Sequence, residues 1–224
     1  MKCIILVSSM IIQMCLGGVY GWSSLVPPLK ETLGLSTAQT QIIFGGLFAV
    51  FTTSMVPAGK LLGRLGPRVT AGIGGFLFAA GYLTTSFSGG NLAVMLLGIS
   101  LFAGAGTGFG YVVPLTTCMK WFPEKRGFVT GISMAGFGGG AVRLSTLAER
   151  LLSGGMPVLM IFRWIGLAYG AALLVAAAAL RFPASNREEQ KQPAAPLRYV
   201  LGDPFFLSLV FGMFCGTFAG MLVI

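Results

Sequence analysis

The sequence has few charged residues and no histidine. Only 9% of its 224 residues are charged, whereas soluble domains carry about 25%, because a surface in contact with water must be polar. Apolar stretches separate the clusters of charge, and each is long enough to cross a bilayer, for which about 20 residues suffice. A soluble protein would expose these stretches and aggregate. The composition therefore excludes a soluble globule and predicts an all-α membrane protein in contact with the lipid bilayer.

The residues that bind metals or carry out catalysis are also scarce. Cys3, Cys15, Cys118 and Cys215 show no CxxC spacing, and without histidine neither a zinc site nor a redox pair is expected. The apolar stretches contain no Asp or Glu, so an intramembrane enzyme lacks its acid and base. We predict no enzymatic activity, no metal and no other cofactor. The absence of intramembrane carboxylates also argues against proton coupling and suits an anionic substrate.

Seven apolar segments follow one another along the chain. Helices are the expected form, because open strands would leave backbone groups unpaired in lipid and the alternation of a barrel is absent. We predict a six-helix bundle over residues 1–180, a cytoplasmic linker over 181–203 and a truncated seventh helix over 204–224. The predicted spans are Ile4–Val26, Gln41–Leu62, Val69–Phe87, Leu92–Leu115, Phe128–Leu147, Pro157–Leu180 and Phe205–Ile224.

Positive charges are distributed unevenly between the two ends of the predicted bundle. Most of the 15 lysines and arginines fall at one end, and Lys30 and Arg150 fall at the other. Basic residues stay on the cytoplasmic side, so we expect a multi-pass protein of the cell membrane with its N-terminus inside. The net charge of +9 lies in short loops rather than on one face with aromatics between, so no nucleic acid partner is expected.

The end of the sequence lies within an apolar run. Because Ile224 is followed by no polar tail, we expect the first half of a longer, two-part protein, with a missing C-terminal bundle as its partner. The competing interpretation is that the chain is a six-helix membrane sensor or an assembly partner of another protein, and that it transports no substrate.

Polar and small residues recur at helical spacing in three of the spans. Residues three, four, seven and eleven apart share one face of a helix. Such faces line a wet cavity or pack helices together, and small residues serve packing more often. For Tyr20, Gln41 and Tyr111 we expect a cavity-lining role as much as a packing role, because bulky polar groups need partners away from lipid. The three faces are Gln13, Gly17, Tyr20, Ser24; Gln41, Gly45, Phe48, Thr52; and Ser100, Gly104, Thr107, Tyr111.

Arg143 is a charged residue inside a predicted span. It follows the start of the fifth span at Phe128 and should lie near the outer interface. There it either attracts anions into an outer vestibule or extends its guanidinium to the lipid headgroups.

Several motifs resemble a known family. The loop Gly59–Arg68 (GKLLGRLGPR) is similar to the signature between helices two and three of the major facilitator superfamily. Within that superfamily, three further strings resemble the oxalate/formate antiporter group, relatives of the monocarboxylate carriers. They are Tyr20–Trp22, Ala103–Tyr111 and Lys120–Gly127. The resemblance implies twelve helices in two bundles, which rock against each other around a central substrate site.

The same resemblance implies a function and a set of site residues. The function is secondary transport of small organic anions, mono- or dicarboxylates such as oxalate and formate. The implied gating loop departs from the family in one position, because Gly63 stands where an acidic residue is usual. The implied substrate-binding residues are Tyr20, Gln41, Tyr111 and Phe137, and the implied gating residues are Gly59, Arg64, Gly66 and Arg68.

Overall fold

The structure is a computed structural model that describes residues 1–183, 204, 206–208, 211–212 and 215. Its contacts divide the chain into two compact units, residues 1–186 and 187–224. Among the described residues every regular element is helical, which confirms the all-α prediction. Most of the predicted linker 181–203 and of the predicted seventh helix 204–224 lies outside the described residues. The few described residues from 204 onward are helical.

The first unit contains six long helices, and each coincides with one predicted span. Helices α2 (residues 37–65) and α3 (67–86) are continuous in hydrogen bonding but meet at Gly66, where φ is 81° and ψ is 175°. Four stretches are long and apolar enough to cross a membrane: α1, the α2–α3 pair, α4 and α6. Helix α5 is outside that group because its glycines, hydroxyl residues and charges lower its mean hydropathy. The bounds are Lys2–Leu33 for α1, Thr37–Ser86 for the α2–α3 pair, Leu92–Trp121 for α4, Arg126–Ser153 for α5 and Val158–Ala179 for α6.

The connection between α1 and α2 is built from turn and cap residues. Gly34 ends α1 in the left-handed conformation, with φ 67°, which costs a residue without Cβ little. Ser36 begins α2 with a capping box: its Oγ accepts from the Gln39 N–H at 3.2 Å, and its own N–H donates to Gln39 Oε1 at 2.8 Å. The cap satisfies N–H groups that a helix start leaves unpaired, so α2 begins four residues earlier than the span predicted from Gln41.

Helix α4 departs from regular α-helical geometry in its first half. Residues Leu96–Ala103 form a π-helical stretch, a form that is rare and widens the turn. Within it the Ser100 hydroxyl donates to the Ile43 carbonyl of α2 at 2.8 Å. The predicted stripe from Ser100 to Tyr111 assumed one α-helical period throughout. Ser100 and Gly104 nevertheless both pack on the backbone of α2, and Tyr111 contacts Phe51 of the same helix. The predicted face therefore serves helix packing at Ser100 and Gly104.

Glycine lets the helix backbones touch at two crossings, that of α1 with α5 and that of α3 with α4. A Cβ at Gly140 of α5 would overlap the Met14 carbonyl of α1, and one at Gly17 of α1 would overlap the Phe137 carbonyl of α5. Between α3 and α4, a Cβ at Gly74 would lie 2.7 Å from the Gly110 nitrogen. At such crossings small residues let helix backbones approach closely. Around them packs an apolar core whose members are almost fully buried: Ile12, Leu16, Leu47, Phe78, Ile99, Leu144 and Phe162.

Adding one methyl group at the α1–α5 crossing tests how tightly it is packed. Gly140→Ala should lower the midpoint of thermal unfolding in detergent, because an overpacked contact costs about 1–3 kcal/mol. Gly139→Ala is the matched control, since a Cβ there meets nothing within 4 Å and alanine favours the helix. Equal midpoints for the two variants would contradict the crossing.

Candidate functional site: an aromatic ring in the bundle

Five aromatic side chains from four helices form a closed circuit, here called the aromatic ring. The members are Tyr20 of α1, Phe48 and Phe51 of α2, Tyr111 of α4 and Phe137 of α5. In that order, the centroids of neighbouring side chains lie 5.5, 6.0, 5.5 and 5.1 Å apart, and 5.7 Å separates Phe137 from Tyr20. All five pairs are tilted or edge-to-face, the arrangement that the aromatic quadrupole favours. The ring therefore joins α1, α2, α4 and α5 around one point.

Glycines next to the aromatic ring bring its helices together. Gly17, three residues before Tyr20, packs on the Phe137 backbone, so α1 and α5 meet where both contribute a ring member. Gly108, three residues before Tyr111, does the same for α4 and α2, because a Cβ there would lie 2.5 Å from the Phe51 carbonyl oxygen. The aromatic contacts thus depend on backbone approach that only glycine permits.

The aromatic ring carries two phenol hydroxyls. Tyr20 and Tyr111 are both half-buried, and the Tyr111 hydroxyl donates to Met134 Sδ at 3.5 Å. A thioether is a weak acceptor, so the Tyr111 hydroxyl loses little when it donates to a stronger acceptor, such as a carboxylate, instead. Within the described residues the acids Glu31, Glu124 and Glu149 are all exposed, at or near helix ends. No described carboxylate therefore competes for the two hydroxyls.

The structure brings three of the four predicted substrate-binding residues together. Tyr20, Tyr111 and Phe137 are all members of the aromatic ring, whereas Gln41 is exposed, two turns before Phe48 on α2, and makes no hydrogen bond with the described residues. Phe48 stood in the predicted polar stripe without being chosen as a site residue. Phe51 was missed altogether, since a phenylalanine in an apolar span has no distinguishing sequence signal.

The polar stripe of α1 has several structural roles. Gly17 packs against α5, and Ser24 donates to Glu149 of α5 at 3.3 Å. Gln13 is fully buried, and its amide finds no hydrogen-bond partner among the described residues. Only Tyr20 of this stripe belongs to the aromatic ring.

A second set of aromatic side chains supports the ring from the side of α2. Phe44 lies 4.9 Å from Phe48 and stacks on Trp22 at 6.4 Å, with ring planes 11° apart. Trp22 in turn stacks on Phe162 of α6 at 6.3 Å, and Tyr82 of α3 lies 6.0 Å beyond. These contacts extend from the aromatic ring to α3 and α6, so all six helices are connected to it.

Arg143 lies on another side of α5. It is exposed, and its guanidinium is close to the thiol of Cys15 in α1 and the hydroxyl of Tyr169 in α6. The aromatic ring instead receives Phe137 from α5.

The predicted gating loop lies at the break between α2 and α3. Gly66 has a φ of 81° and a ψ of 175°, a region that is essentially restricted to glycine. Arg64 and Arg68 flank it, are exposed, and make no ion pair with described residues; Gly59 is also exposed. A Cβ at Gly63 meets open space, so the structure leaves room for the acidic residue usual at this position.

Comparison with known proteins places these features in context. A family model described as Major Facilitator Superfamily matches residues 5–224. The chain is 28% identical to the oxalate:formate antiporter of Oxalobacter formigenes over 98% of its own length and 53% of the relative. It is 35% identical to apicoplast pyruvate carrier 1 of Toxoplasma gondii over 50% of the chain and 20% of the relative. Monocarboxylate transporter 13 of Rattus norvegicus is 30% identical over 57% of the chain and 27% of that protein. The chain spans about half the length of the first of these relatives.

Two glycines of the loop respond to alanine in opposite directions. Gly66→Ala should lower the midpoint of thermal unfolding, because a residue with a Cβ in this backbone conformation costs about 1–3 kcal/mol. Gly63→Ala should leave the midpoint unchanged or raise it, since Gly63 lies in a helix with free space around it and alanine is favoured there by about 0.5–1 kcal/mol. A destabilised Gly63→Ala beside a neutral Gly66→Ala would refute the assigned break.

Proposed function

Because the chain belongs to the major facilitator superfamily, we propose that it forms the first bundle of a secondary carrier of small organic anions. The proposed substrates are mono- or dicarboxylates such as oxalate and formate, moved by alternating access. The names of three relatives support this class, since they are an oxalate:formate antiporter, a pyruvate carrier and a monocarboxylate transporter.

The aromatic ring is the observation that carries the proposal. A carboxylate needs hydrogen-bond donors and the absence of fixed negative charge. Tyr20 and Tyr111 supply hydroxyls, and the edges of aromatic side chains carry partial positive charge that attracts an anion. Phe48, Phe51 and Phe137 complete an apolar surface against the carbon skeleton of the substrate. We propose that Gln41, whose exposed amide lies on the same face of α2 as Phe48, provides one further donor.

Among the described residues, the members of the proposed site carry no positive charge, so we propose that the site is completed by a counter-charge from elsewhere. Taking a carboxylate out of water without a partner costs several kcal/mol, and the five side chains of the aromatic ring carry no charge. We infer that the counter-charge comes from a second bundle that begins within residues 204–224 and follows a linker over 181–203. Residues 1–180 are then one of the two bodies that rock against each other.

The orientation proposed for the carrier follows from its basic residues. Lys2, Arg64, Arg68 and Lys125 lie at the same end of the bundle, because α1 and α5 begin there and α2 passes into α3 there. Basic ends stay on the cytoplasmic side, so the N-terminus and the Gly59–Arg68 loop face the cytoplasm of a cell-membrane protein. In this orientation Gly59, Arg64, Gly66 and Arg68 form the inner gate against the second bundle.

Removing one hydroxyl from the aromatic ring tests the site. In proteoliposomes that hold this chain with its second bundle, Tyr111→Phe and Tyr20→Phe should each weaken uptake of labelled oxalate or formate about tenfold or more, because a hydrogen bond to a charged group contributes about 1.5–3 kcal/mol. Tyr82→Phe is the matched control, since Tyr82 is buried outside the aromatic ring. Loss of uptake in Tyr82→Phe alone would place the site elsewhere.

The 224-residue chain by itself tests the need for a second bundle. Liposomes that contain only these residues should take up labelled oxalate and formate no faster than empty liposomes, because the counter-charge and the opposing body are missing. Substrate-dependent uptake by the chain alone would overturn this part of the proposal.

A further inference from the structure

A pocket of about 290 Å³ opens where α1 begins and α4 ends, and here it is called the basic pocket. It is formed by the start of α1, the end of α4 and the short 3₁₀ turn Pro123–Lys125 that leads into α5. It lies at the end of the bundle and takes no part in the aromatic ring. Its lining consists of Lys2, Trp121, Phe122, Pro123, Glu124 and Lys125.

Contacts within the chain hold the walls of the basic pocket in place. The Trp121 indole N–H donates to the Arg181 carbonyl at 2.6 Å, which ties the end of α4 to the residues after α6. Lys120 Nζ lies 4.3 Å from the centroid of Phe182. Inside the basic pocket, Lys2 Nζ lies 5.7 Å from the centroid of Phe122. The lining of the basic pocket therefore comes from two separate parts of the chain, and a third part, Arg181, holds Trp121.

The lining of the basic pocket carries more positive than negative side chains. Two of its lining residues are lysines, and Arg126 follows at the start of α5. Glu124 is the acid in its lining, and it forms no ion pair with the described residues. Lys2 lies beside the side chain of Phe122 rather than beside a carboxylate. Its ammonium hydrogens therefore remain available to an anionic oxygen.

The chemistry around the two lysines is that of a membrane interface. The ends of spanning helices lie at the level of the lipid headgroups, where tryptophan and basic residues concentrate. Trp121, Phe122 and Pro123 give the basic pocket an apolar side that matches the glycerol and ester part of a lipid. A small free anion would use the lysines and gain nothing from these three residues.

We propose that the basic pocket binds the phosphodiester headgroup of an anionic membrane lipid, with Lys2 and Lys125 on the phosphate oxygens. Basic pockets between helix ends are suited to such headgroups, and each basic residue near the surface contributes about 1 kcal/mol, or about fivefold in affinity. A lipid held there links the start of α1 to the α4–α5 turn. The inference is independent of the transported substrate.

Lipid retention by the purified 224-residue chain tests the proposal. By native mass spectrometry after incubation with phosphatidylglycerol or phosphatidylcholine, we expect the chain to retain phosphatidylglycerol preferentially. The double variant Lys2→Gln/Lys125→Gln should reduce this retention about tenfold or more. Lys30→Gln/Lys60→Gln is the matched control, since it removes the same charge from exposed residues outside the basic pocket and should retain the lipid.

The variant Glu124→Gln should increase lipid retention, whereas misfolding would decrease it. Removing the acid from the lining should raise phosphatidylglycerol retention severalfold, because the carboxylate repels the phosphate. Equal loss of lipid in the two double variants would show diffuse attraction by overall charge and overturn the assigned pocket. Displacement of the lipid by millimolar glycerol phosphate or inorganic phosphate would show a site for free anions and also overturn it.

Discussion

Backbone contact between helices at glycine is the constraint on which the rest of this structure depends. In a bilayer, helices gain little by hiding apolar side chains from one another, so close van der Waals packing has to hold them together. Gly17 and Gly140 set the approach of α1 to α5, and Gly108 sets that of α4 to α2. Each of these crossings lies within one turn of a member of the aromatic ring. The ring is thus a product of the packing, because larger residues at the crossings would move its members out of contact.

Charge is separated from this glycine-packed interior. The described carboxylates lie at or near helix ends, and the aromatic ring contains only neutral groups. Such an interior costs little to bury, since its tyrosines can donate to a guest and no ion has to be desolvated when the site is empty. Basic residues such as Lys2, Arg64 and Lys125 lie at or near helix ends instead. The division lets one bundle be stable in lipid and still offer donors to an anion.

Much of the fold was predictable because it follows from the lengths of apolar runs, whereas the site depends on how helices cross. The six helices within residues 1–183 were predicted, since the length of an apolar run is a local property of the sequence. Phe51 was not found, because its place beside Tyr111 is decided by the approach of α4 to α2 at Gly108. Helix packing was one of the two interpretations of the stripe from Ser100 to Tyr111, and Ser100 and Gly104 do pack on α2 despite the π-helical stretch of α4. Tyr20 and Tyr111 stood out because a phenol in an apolar span needs a polar partner.

The same packing limits how a carrier built on this bundle can move. Sliding α1 along α5 would drive Gly17 and Gly140 out of register, and neighbouring residues with Cβ atoms do not fit the backbone distances seen there. Five aromatic contacts across four helices, extended by Trp22 to α6, add further connections that an internal rearrangement would break. The motion with the lowest free-energy cost is therefore one that leaves the bundle intact and changes its tilt against another body. In the proposed carrier, the loop around Gly66 would meet that body in one tilt and leave it in the other.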